Sequence, residues 1–267
     1  MLMTTIKRYW RIFWRFRLIH LMRTFEYRAD FFFWGFVSAL WTGFNFFFFD
    51  ILVSVSGNIG GWTKYEMYII LAVFTILDAF TWSFFASNMR NYSRTVFNGE
   101  FNQLLLKPID AQFMLMTQNN SYNNIFRFFI GFGMLLWGLS LLNYQPTLIQ
   151  TIMFILVMLL AFFFVYALWF IITTFSFYVE KLENINEVLP SLRRAWQVPR
   201  SVYTGLISTL FTFVLPIGII TSIPSEVLLG KTSYWWVLYF LVITLVTLLI
   251  SRIFFKLSIK NYTGVAN

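Results

Sequence analysis

Long apolar runs separated by short polar stretches dominate the hydrophobic pattern of this chain. A helix needs about 20 mostly apolar residues to cross a bilayer, and six segments are long enough to qualify. The predicted spans are residues 31–55, 66–89, 122–142, 148–178, 206–223 and 234–255. Polar residues 180–187 predict a short soluble extension of the fourth span. The pattern therefore predicts an all-α polytopic membrane protein, with a six-span domain over residues 31–267.

Residues 1–30 show a different, amphipathic pattern. On a helical wheel, basic residues fall on one face and mostly aromatic residues on the opposite face. The basic face comprises Lys7, Arg8, Arg11 and Arg15, and the other face Ile6, Tyr9, Trp10, Phe13 and Trp14. This arrangement is typical of an interfacial helix whose arginines meet lipid phosphates, although a topology signal alone is the open alternative. Arg17 interrupts the apolar face, which predicts a bend or a contact with protein.

The longest polar stretch, residues 90–121, joins the second and third predicted spans and contains a further amphipathic segment. Phe97, Phe101, Leu104 and Leu105 recur at i, i+4, i+7 and i+8, which predicts one apolar helical face. Pro108 then ends the helix. Such a helix fits a groove on a soluble partner, and a helix lying flat on the membrane is the alternative.

The region between the last two predicted spans contains turn and kink signals. Pro216, inside the fifth span, predicts a kink because proline removes a helical hydrogen bond. Pro224 and Gly230 predict the start and end of a short outer helix, which would form a re-entrant hairpin. Residues 225–232 come close to the phosphate-binding loop G-x-x-x-x-G-K-[ST], but serine replaces the leading glycine and no strand precedes it. We therefore expect no nucleotide site on this chain.

The distribution of basic residues predicts the orientation. When six spans are threaded, all of the 20 Lys and Arg residues except Lys64 and Lys231 fall on one side. Cytoplasmic loops carry an excess of these residues, so we expect both termini in the cytoplasm and the chain in the inner membrane. Anionic headgroups beside short basic loops explain the net charge of +9 without nucleic acid.

Composition narrows the possible chemistry. The chain is 59% hydrophobic and only 12% charged, which excludes an ordinary soluble domain. It has no cysteine and a single histidine, so we expect no metal site, and no acid pair or activated serine suggests an intramembrane enzyme. Asp78 lies near the middle of the second span, where an ionised carboxylate is costly. A structural pair with Arg127 is favoured, and a proton site is the alternative.

Two stretches resemble a known family. Residues 99–108, G-E-F-N-Q-L-L-L-K-P, are similar to the G-E-x-D-x-L-L-L-R/K-P run of ABC-2 type transporter permeases, the group that includes viologen-exporter-like proteins. Residues 213–216, 223–224 and 229–230 resemble the F-x-x-P, P and L-x-G positions around that family's fifth span. The predicted spans, the basic N-terminal helix and the chain length also agree, so the resemblance covers essentially the whole chain.

The resemblance implies the permease subunit of an ABC exporter that moves a hydrophobic or amphiphilic substrate. Two permease chains, identical or different, would pair within membrane lipid, and each would dock on a cytoplasmic ATPase subunit that binds ATP and Mg. The permease itself would be neither an enzyme nor a cofactor-binding chain. By the same resemblance, the residues that couple the permease to the ATPase are Phe97, Glu100, Phe101, Leu104, Leu105 and Lys107. A proton-coupled secondary transporter using Asp78, or a purely structural protein, remains open.

Overall fold

The computed structural model describes residues 2–178, 185–260 and 262, and the regular structure within them is helical. The predicted extension over 180–187 therefore lies outside the described residues except for a short 3-10 turn at Ile185–Glu187. In chain order the α-helices are α1 Leu2–Glu26, α2 Arg28–Ser56, α3 Lys64–Thr81, α4 Ser87–Phe97, α5 Phe101–Leu105, α6 Ala111–Thr117, α7 Ile125–Leu141, α8 Leu148–Thr174, α9 Val188–Leu192, α10 Gly205–Thr209, α11 Ser222–Leu228 and α12 Tyr234–Lys260.

Within the described residues, five helices are long and apolar enough to cross a membrane. They are Arg28–Ser56, Lys64–Phe97, Tyr122–Leu141, Leu148–Phe177 and Tyr234–Lys260. Each corresponds to one of the predicted spans, namely the first four and the sixth. The protein is therefore an all-helical, multi-pass membrane protein.

The second of these helices is the centre of the bundle. It consists of α3, a π-helical turn at Trp82–Ala86, and α4. In its most apolar window 78% of residues are buried, against 17% for α2 and α12. Gly131 of α7 allows close approach, since a Cβ there would meet the Ile76 backbone nitrogen at 3.0 Å. Small residues at helix contacts serve this purpose in membrane proteins.

The fifth predicted span, residues 206–223, is not one continuous helix. A short apolar helix covers Gly205–Val214 and is followed by a break at Pro216 and turns before α11. Proline lacks the amide hydrogen that would continue the helix. The hydroxyl of Ser222, at the far side of this break, accepts a hydrogen bond from the Arg200 amide at 2.9 Å. Residues 200 and 222 therefore lie at the same end of the bundle, and the chain between them does not cross it.

The two ends of the bundle are defined by their contacts. We call the end that carries α1 the α1 end, because α1 contacts the residues around Asp110 there. The opposite end, which we call the far end, carries the loop around Gly60 and the turn between α7 and α8. At the far end Lys231 pairs with Glu66 at 2.6 Å.

Residues 185–203 run along the bundle from the α1 end to the far end in short helical turns. Near the α1 end, the Ser93 hydroxyl donates to Asn186 at 2.9 Å. Halfway along, Arg193 contacts Asp78 of α3 at 3.1 Å. At the far end, Ser201 donates to the carbonyl of Gly60 at 2.6 Å. This path was not predicted, because the segment lacks a long apolar run.

The path corrects part of the charge assignment. Arg200, which the six-span threading placed beside the termini, lies at the far end, where it pairs with Glu226. Arg193 lies within the bundle against Asp78. The bulk of the basic residues, including those of α1, remains on the α1 end, so the charge asymmetry that predicts the orientation persists.

Candidate functional site

The segment after α4 forms a compact protrusion at the α1 end. α4 ends at Phe97, and Gly99 adopts a φ of +74°, a left-handed conformation that glycine tolerates and that reverses the chain. The short helix α5 then follows. Phe97 thus closes one helix while Leu104 and Leu105 belong to the next, so the single predicted helix over residues 97–107 is wrong.

The apolar residues of this protrusion divide between two environments. Phe101 is fully buried and Leu104 is 5% exposed, because both pack into the bundle. Phe101 meets the rings of Phe177 and Tyr262 edge-on, with centroids 5.1 and 5.3 Å away. Phe101 and Leu104 therefore anchor the protrusion, and the expectation that they face a partner is wrong.

The exposed face of the protrusion is formed by other residues. Leu106 is 86% exposed, and Phe97 and Leu105 are nearly half exposed. Glu100 and Lys107 are also exposed on this segment. We call these five residues the coupling surface: Phe97, Glu100, Leu105, Leu106 and Lys107. Sequence periodicity missed Leu106, since it lies off the i, i+4 face.

Asp110 connects the coupling surface to the rest of the bundle. Its carboxylate accepts a hydrogen bond from the Phe113 amide at 3.0 Å, which caps α6. The same carboxylate forms an ion pair with Arg252 of α12, whose guanidinium also donates to Gln112 at 2.8 Å. The Asp110 amide donates to the Tyr9 hydroxyl of α1 at 3.0 Å. One residue thus joins α1, α6 and α12.

Burial acts to raise the pKa of Asp110, but the hydrogen bonds from Arg252 and from the Phe113 amide outweigh it. The net result is a pKa below the usual value for aspartate. The carboxylate is therefore ionised at neutral pH, and the link to α12 is fully formed there.

Asn88, on the first turn of α4, holds the following segment in place. Its amide nitrogen donates to the carbonyls of Met116 and Asn119, at 2.7 and 2.9 Å. Its oxygen accepts from the Asn119 amide at 2.9 Å. The π-helical turn contributes as well, because the Ser83 carbonyl accepts a hydrogen bond from the Ser121 amide at 3.0 Å. These contacts fix the base of the coupling surface to the central helix.

α1 lies against the same region and presents distinct faces. Tyr9 packs edge-on against Phe113, with ring centroids 4.7 Å apart, and His20 bonds the Gln118 carbonyl at 2.7 Å. A bend in the helix or a contact with protein was predicted at Arg17. Its side chain is only 6% exposed, so it contacts protein. The basic residues of the opposite face, Lys7, Arg8, Arg11 and Arg15, are exposed. Arg8 also donates to the Pro108 carbonyl at 3.1 Å.

A buried charge cluster lies in the bundle interior. Asp78 is 1% exposed, and its carboxylate contacts the guanidinium of Arg127 on α7 and that of Arg193, the latter at 3.1 Å. The Trp82 indole donates to the same carboxylate at 3.1 Å. The structure thus brings the two predicted residues together and adds Arg193. No sequence pattern pointed to Arg193, since its partner is 115 positions away.

The far end holds a second cluster, formed by Glu226 of α11 and Arg200. The Arg200 guanidinium donates twice to the Glu226 carboxylate, at 2.8 and 2.9 Å, and lies 3.7 Å from the Trp236 ring centre. Pro216 is buried at the break before α11, and Pro224 is buried within α11, which starts two residues before it.

Gly230 ends this stretch with a φ of +66°. This left-handed conformation favours glycine, and a Cβ there would also displace the side-chain Nε2 of Gln150, which lies 2.6 Å away. The short outer helix predicted between Pro224 and Gly230 therefore corresponds to α11, shifted by two residues.

The fold and the coupling surface define the class of protein: a multi-pass helical membrane protein with a rigid, exposed apolar protrusion at its basic end. The sequence pattern of the ABC-2 family transporter proteins matches residues 39–266. The chain therefore belongs to this family and is the membrane component, or permease, of an ABC transporter. No curated protein and no solved structure matches the chain.

Proposed function

We propose that this chain is the permease subunit of an ABC exporter, and that its coupling surface binds a cytoplasmic ATPase subunit. The observation that supports this best is the combination of exposed Leu105 and Leu106 with a rigid connection behind them. An apolar protrusion of this kind fits a groove on a soluble protein. ATP and Mg would bind to the ATPase, and the permease would contribute no catalytic residue and no cofactor.

The connection behind the coupling surface provides a route for movement. A displacement of α5 by the ATPase would act on Asp110 and, through its ion pair, on Arg252 of α12. It would also act on the central helix, since Asn88 ties the segment to α4. Rigid elements joined in this way can transmit a hinge motion to the membrane-crossing helices.

A co-purification experiment tests the docking role. Leu105→Asp and Leu106→Asp place a charge on the apolar part of the coupling surface, and we expect each to abolish association with the ATPase. Gln103→Asp is the matched control, because it adds the same charge at an exposed polar position of α5. Normal ATPase recovery with the Leu106→Asp chain would refute the proposal. Leu104→Asp is not informative, because Leu104 is buried.

We also propose six crossings, with residues 185–203 forming the fifth. This segment runs from the α1 end to the far end, as a crossing requires. The chain would then have both termini in the cytoplasm of a cell with an inner membrane, and residues 205–228 would form the re-entrant hairpin on the outer side. Irregular backbone at membrane depth is tolerated where protein buries it, and Trp196 and Gln197 are buried.

A second permease chain completes the proposed exporter. The helix Gly205–Val214 presents large apolar side chains, with Leu206 87% and Val214 72% exposed. α2 also exposes large apolar side chains, such as Phe44 and Phe47, and we propose that these faces contact a partner chain or lipid. A hydrophobic or amphiphilic substrate would pass along the seam between the two chains, moving outward as in the exporters that the sequence resembles.

Asp78 is better suited to a structural role than to proton transport. Both of its oxygens contact guanidinium groups, and the Trp82 indole supplies a further donor. A proton carrier needs its carboxylate open to a path for protons, whereas Asp78 is 1% exposed and both of its oxygens are occupied by guanidinium groups. A proton-coupled secondary transporter would need a relay of carboxylates, and the side-chain partners of Asp78 in the described residues are instead Arg127, Arg193 and Trp82.

A further inference from the structure

A deep apolar cleft lies on one side of the bundle, between α1, α3, α6, α7 and α8. Its volume is about 880 Å³, within the range of about 300–1,000 Å³ that is typical of ligand sites. The walls are mainly aromatic, with Phe80, Phe128 and Phe162 among them. Leu159 and Phe163 at its rim are about half exposed, so the cleft opens sideways, toward the surrounding bilayer.

The cleft has the length of one membrane leaflet. Along α8 its wall extends from Phe154 to Tyr166, which is about 18 Å at a rise of 1.5 Å per residue. Half of a hydrocarbon core of about 30 Å is about 15 Å. One acyl chain of a lipid in the adjoining leaflet therefore fits along this wall.

A buried arginine lines the α1 end of the cleft. Arg17 is only 6% exposed, and its Nε and Nη1 atoms have no hydrogen-bond partner among the described residues. Its Cζ lies 4.4 Å from the ring centre of Phe13 and 4.8 Å from that of Phe84. Aromatic rings attract the cation, but they provide no oxygen acceptor for its donors.

The other polar groups at this end of the cleft are already paired. Asp110 forms its ion pair with Arg252, and Gln112 donates to the Tyr166 hydroxyl at 2.8 Å. Thr117 donates to the Phe113 carbonyl at 2.7 Å. Among the described residues that line the cleft, no carboxylate is thus left to neutralise Arg17. Burial lowers its pKa to about 10, which leaves the guanidinium charged at neutral pH.

We propose that this cleft binds an anionic phospholipid from the leaflet at the α1 end, with an acyl chain along α8 and the phosphate at the Arg17 guanidinium. The phosphate oxygens supply the acceptors that the side chain lacks, and the charge is neutralised within a poorly hydrated site. The exposed basic face of α1 beside the cleft attracts anionic headgroups to the same place. This inference does not depend on the docking of an ATPase.

Native mass spectrometry of the purified full-length chain tests the proposal. The protein is titrated with phosphatidylglycerol and, separately, with phosphatidylcholine that has the same acyl chains. We expect tighter binding of phosphatidylglycerol, and a loss of its affinity of about tenfold or more in Arg17→Gln, because hydrogen bonds to charged groups are strong. Lys256→Gln, which removes an exposed charge on α12 outside both the cleft and the basic face of α1, is expected to bind as the unmodified chain does.

A second variant tests the acyl-chain part of the site. Leu159→Trp fills the rim of the cleft without touching Arg17, and we expect it to weaken phosphatidylglycerol binding. Leu238→Trp is its control, since Leu238 on α12 is also about half exposed and lies outside the cleft. This pair keeps the test decisive even if Arg17→Gln does not fold.

Three results would overturn the proposal. One is equal affinity for the two lipids, and another is unchanged phosphatidylglycerol binding by Arg17→Gln. The third is displacement of the lipid by millimolar inorganic phosphate together with normal binding by Leu159→Trp. That combination would show a site for free anions and not for an anchored lipid.

Discussion

A single carboxylate, Asp78, serves two guanidinium groups at the centre of the bundle. Arg127 belongs to α7, while Arg193 belongs to the irregular stretch 185–203. A buried charge is costly unless it is paired, so each arginine depends on Asp78. The cluster therefore holds three separate parts of the chain together at one point.

The Asp78→Asn variant tests this dependence. Removal of the negative charge leaves Arg127 and Arg193, whose side chains are 15% and 32% exposed, without this counter-ion, and breaking a buried pair costs about 3–5 kcal/mol. We expect a loss of stability of that size in thermal or denaturant unfolding of the purified protein. Asp50→Asn is the control, because the Asp50–Lys64 pair is partly exposed and such surface pairs contribute little to stability. Equal stability of the two variants would mean that Asp78 does not anchor the cluster.

At the scale of elements, the connection from α5 through α6 to α12 distinguishes this chain from a simple bundle of spans. The protrusion is anchored by Phe101 and Leu104, capped by Asp110 and tied to Arg252. Because the buried anchors Phe101 and Leu104 lie on α5 directly beside the exposed Leu105 and Leu106, we expect a push on the exposed residues to reach the bundle. The stiffness of this connection depends on the ionised state of Asp110.

The link between Asp110 and Arg252 predicts a defined pH dependence. The pKa of Asp110 is lowered in the folded protein, so its stabilising effect is present above the ordinary aspartate value of about 3.9 and is lost as pH falls through the lower folded value. We expect Asp110→Asn to cost about 1 kcal/mol, because the pair is partly exposed. Unfolding of both proteins at several pH values should show a constant difference from pH 7 to about 5 that shrinks below about 4.

Glu100→Gln provides the control for this series, since Glu100 is an exposed carboxylate on the same segment. Its unfolding curve should match that of the unmodified chain at each pH. A difference between Asp110→Asn and the unmodified chain that grows on acidification would contradict the assigned direction of the pKa shift.

The sequence predicted the elements that depend on local composition and missed those that depend on distant partners. Five long helices follow from apolar runs, and the amphipathic α1 follows from its wheel. Periodicity predicted an apolar face around Phe101, but it could not tell which side would face the protein. Residues 185–203 carry no periodic signal, because partners such as Asp78 and Gly60 hold them in place.

At the scale of the whole molecule, the two ends of the bundle differ in charge and in what they expose. The α1 end carries the basic helix and the coupling surface, whereas the far end carries the Arg200–Glu226 and Lys231–Glu66 pairs. The position of Ser201 decides the path of the chain between them. The six spans predicted from apolar runs place Ser201 on the same side as the termini. Its hydrogen bond to the Gly60 carbonyl instead places it at the far end.

Single-cysteine labelling tests this arrangement, and the chain suits the method because it contains no cysteine. We expect Ser201→Cys to react with a membrane-impermeant maleimide added outside the cells. Leu106→Cys, exposed on the coupling surface, should react only after the membrane is opened. Labelling of Ser201→Cys only in opened cells would place residues 201 and 106 on one side and would exclude the proposed fifth crossing.

The path of residues 185–203 has a consequence for how the protein is made. A stretch with three arginines and no continuous helix has too many unpaired backbone groups to enter lipid alone. Its partners come from both earlier and later parts of the chain, since Arg193 needs Asp78 and Arg200 needs Glu226. In the proposed six-span arrangement, insertion into the membrane therefore cannot proceed strictly one span at a time. Arg200 can pair with Glu226 only after α11 has been synthesised. During biosynthesis the stretch therefore passes through a stage in which Arg200 lacks this counter-ion.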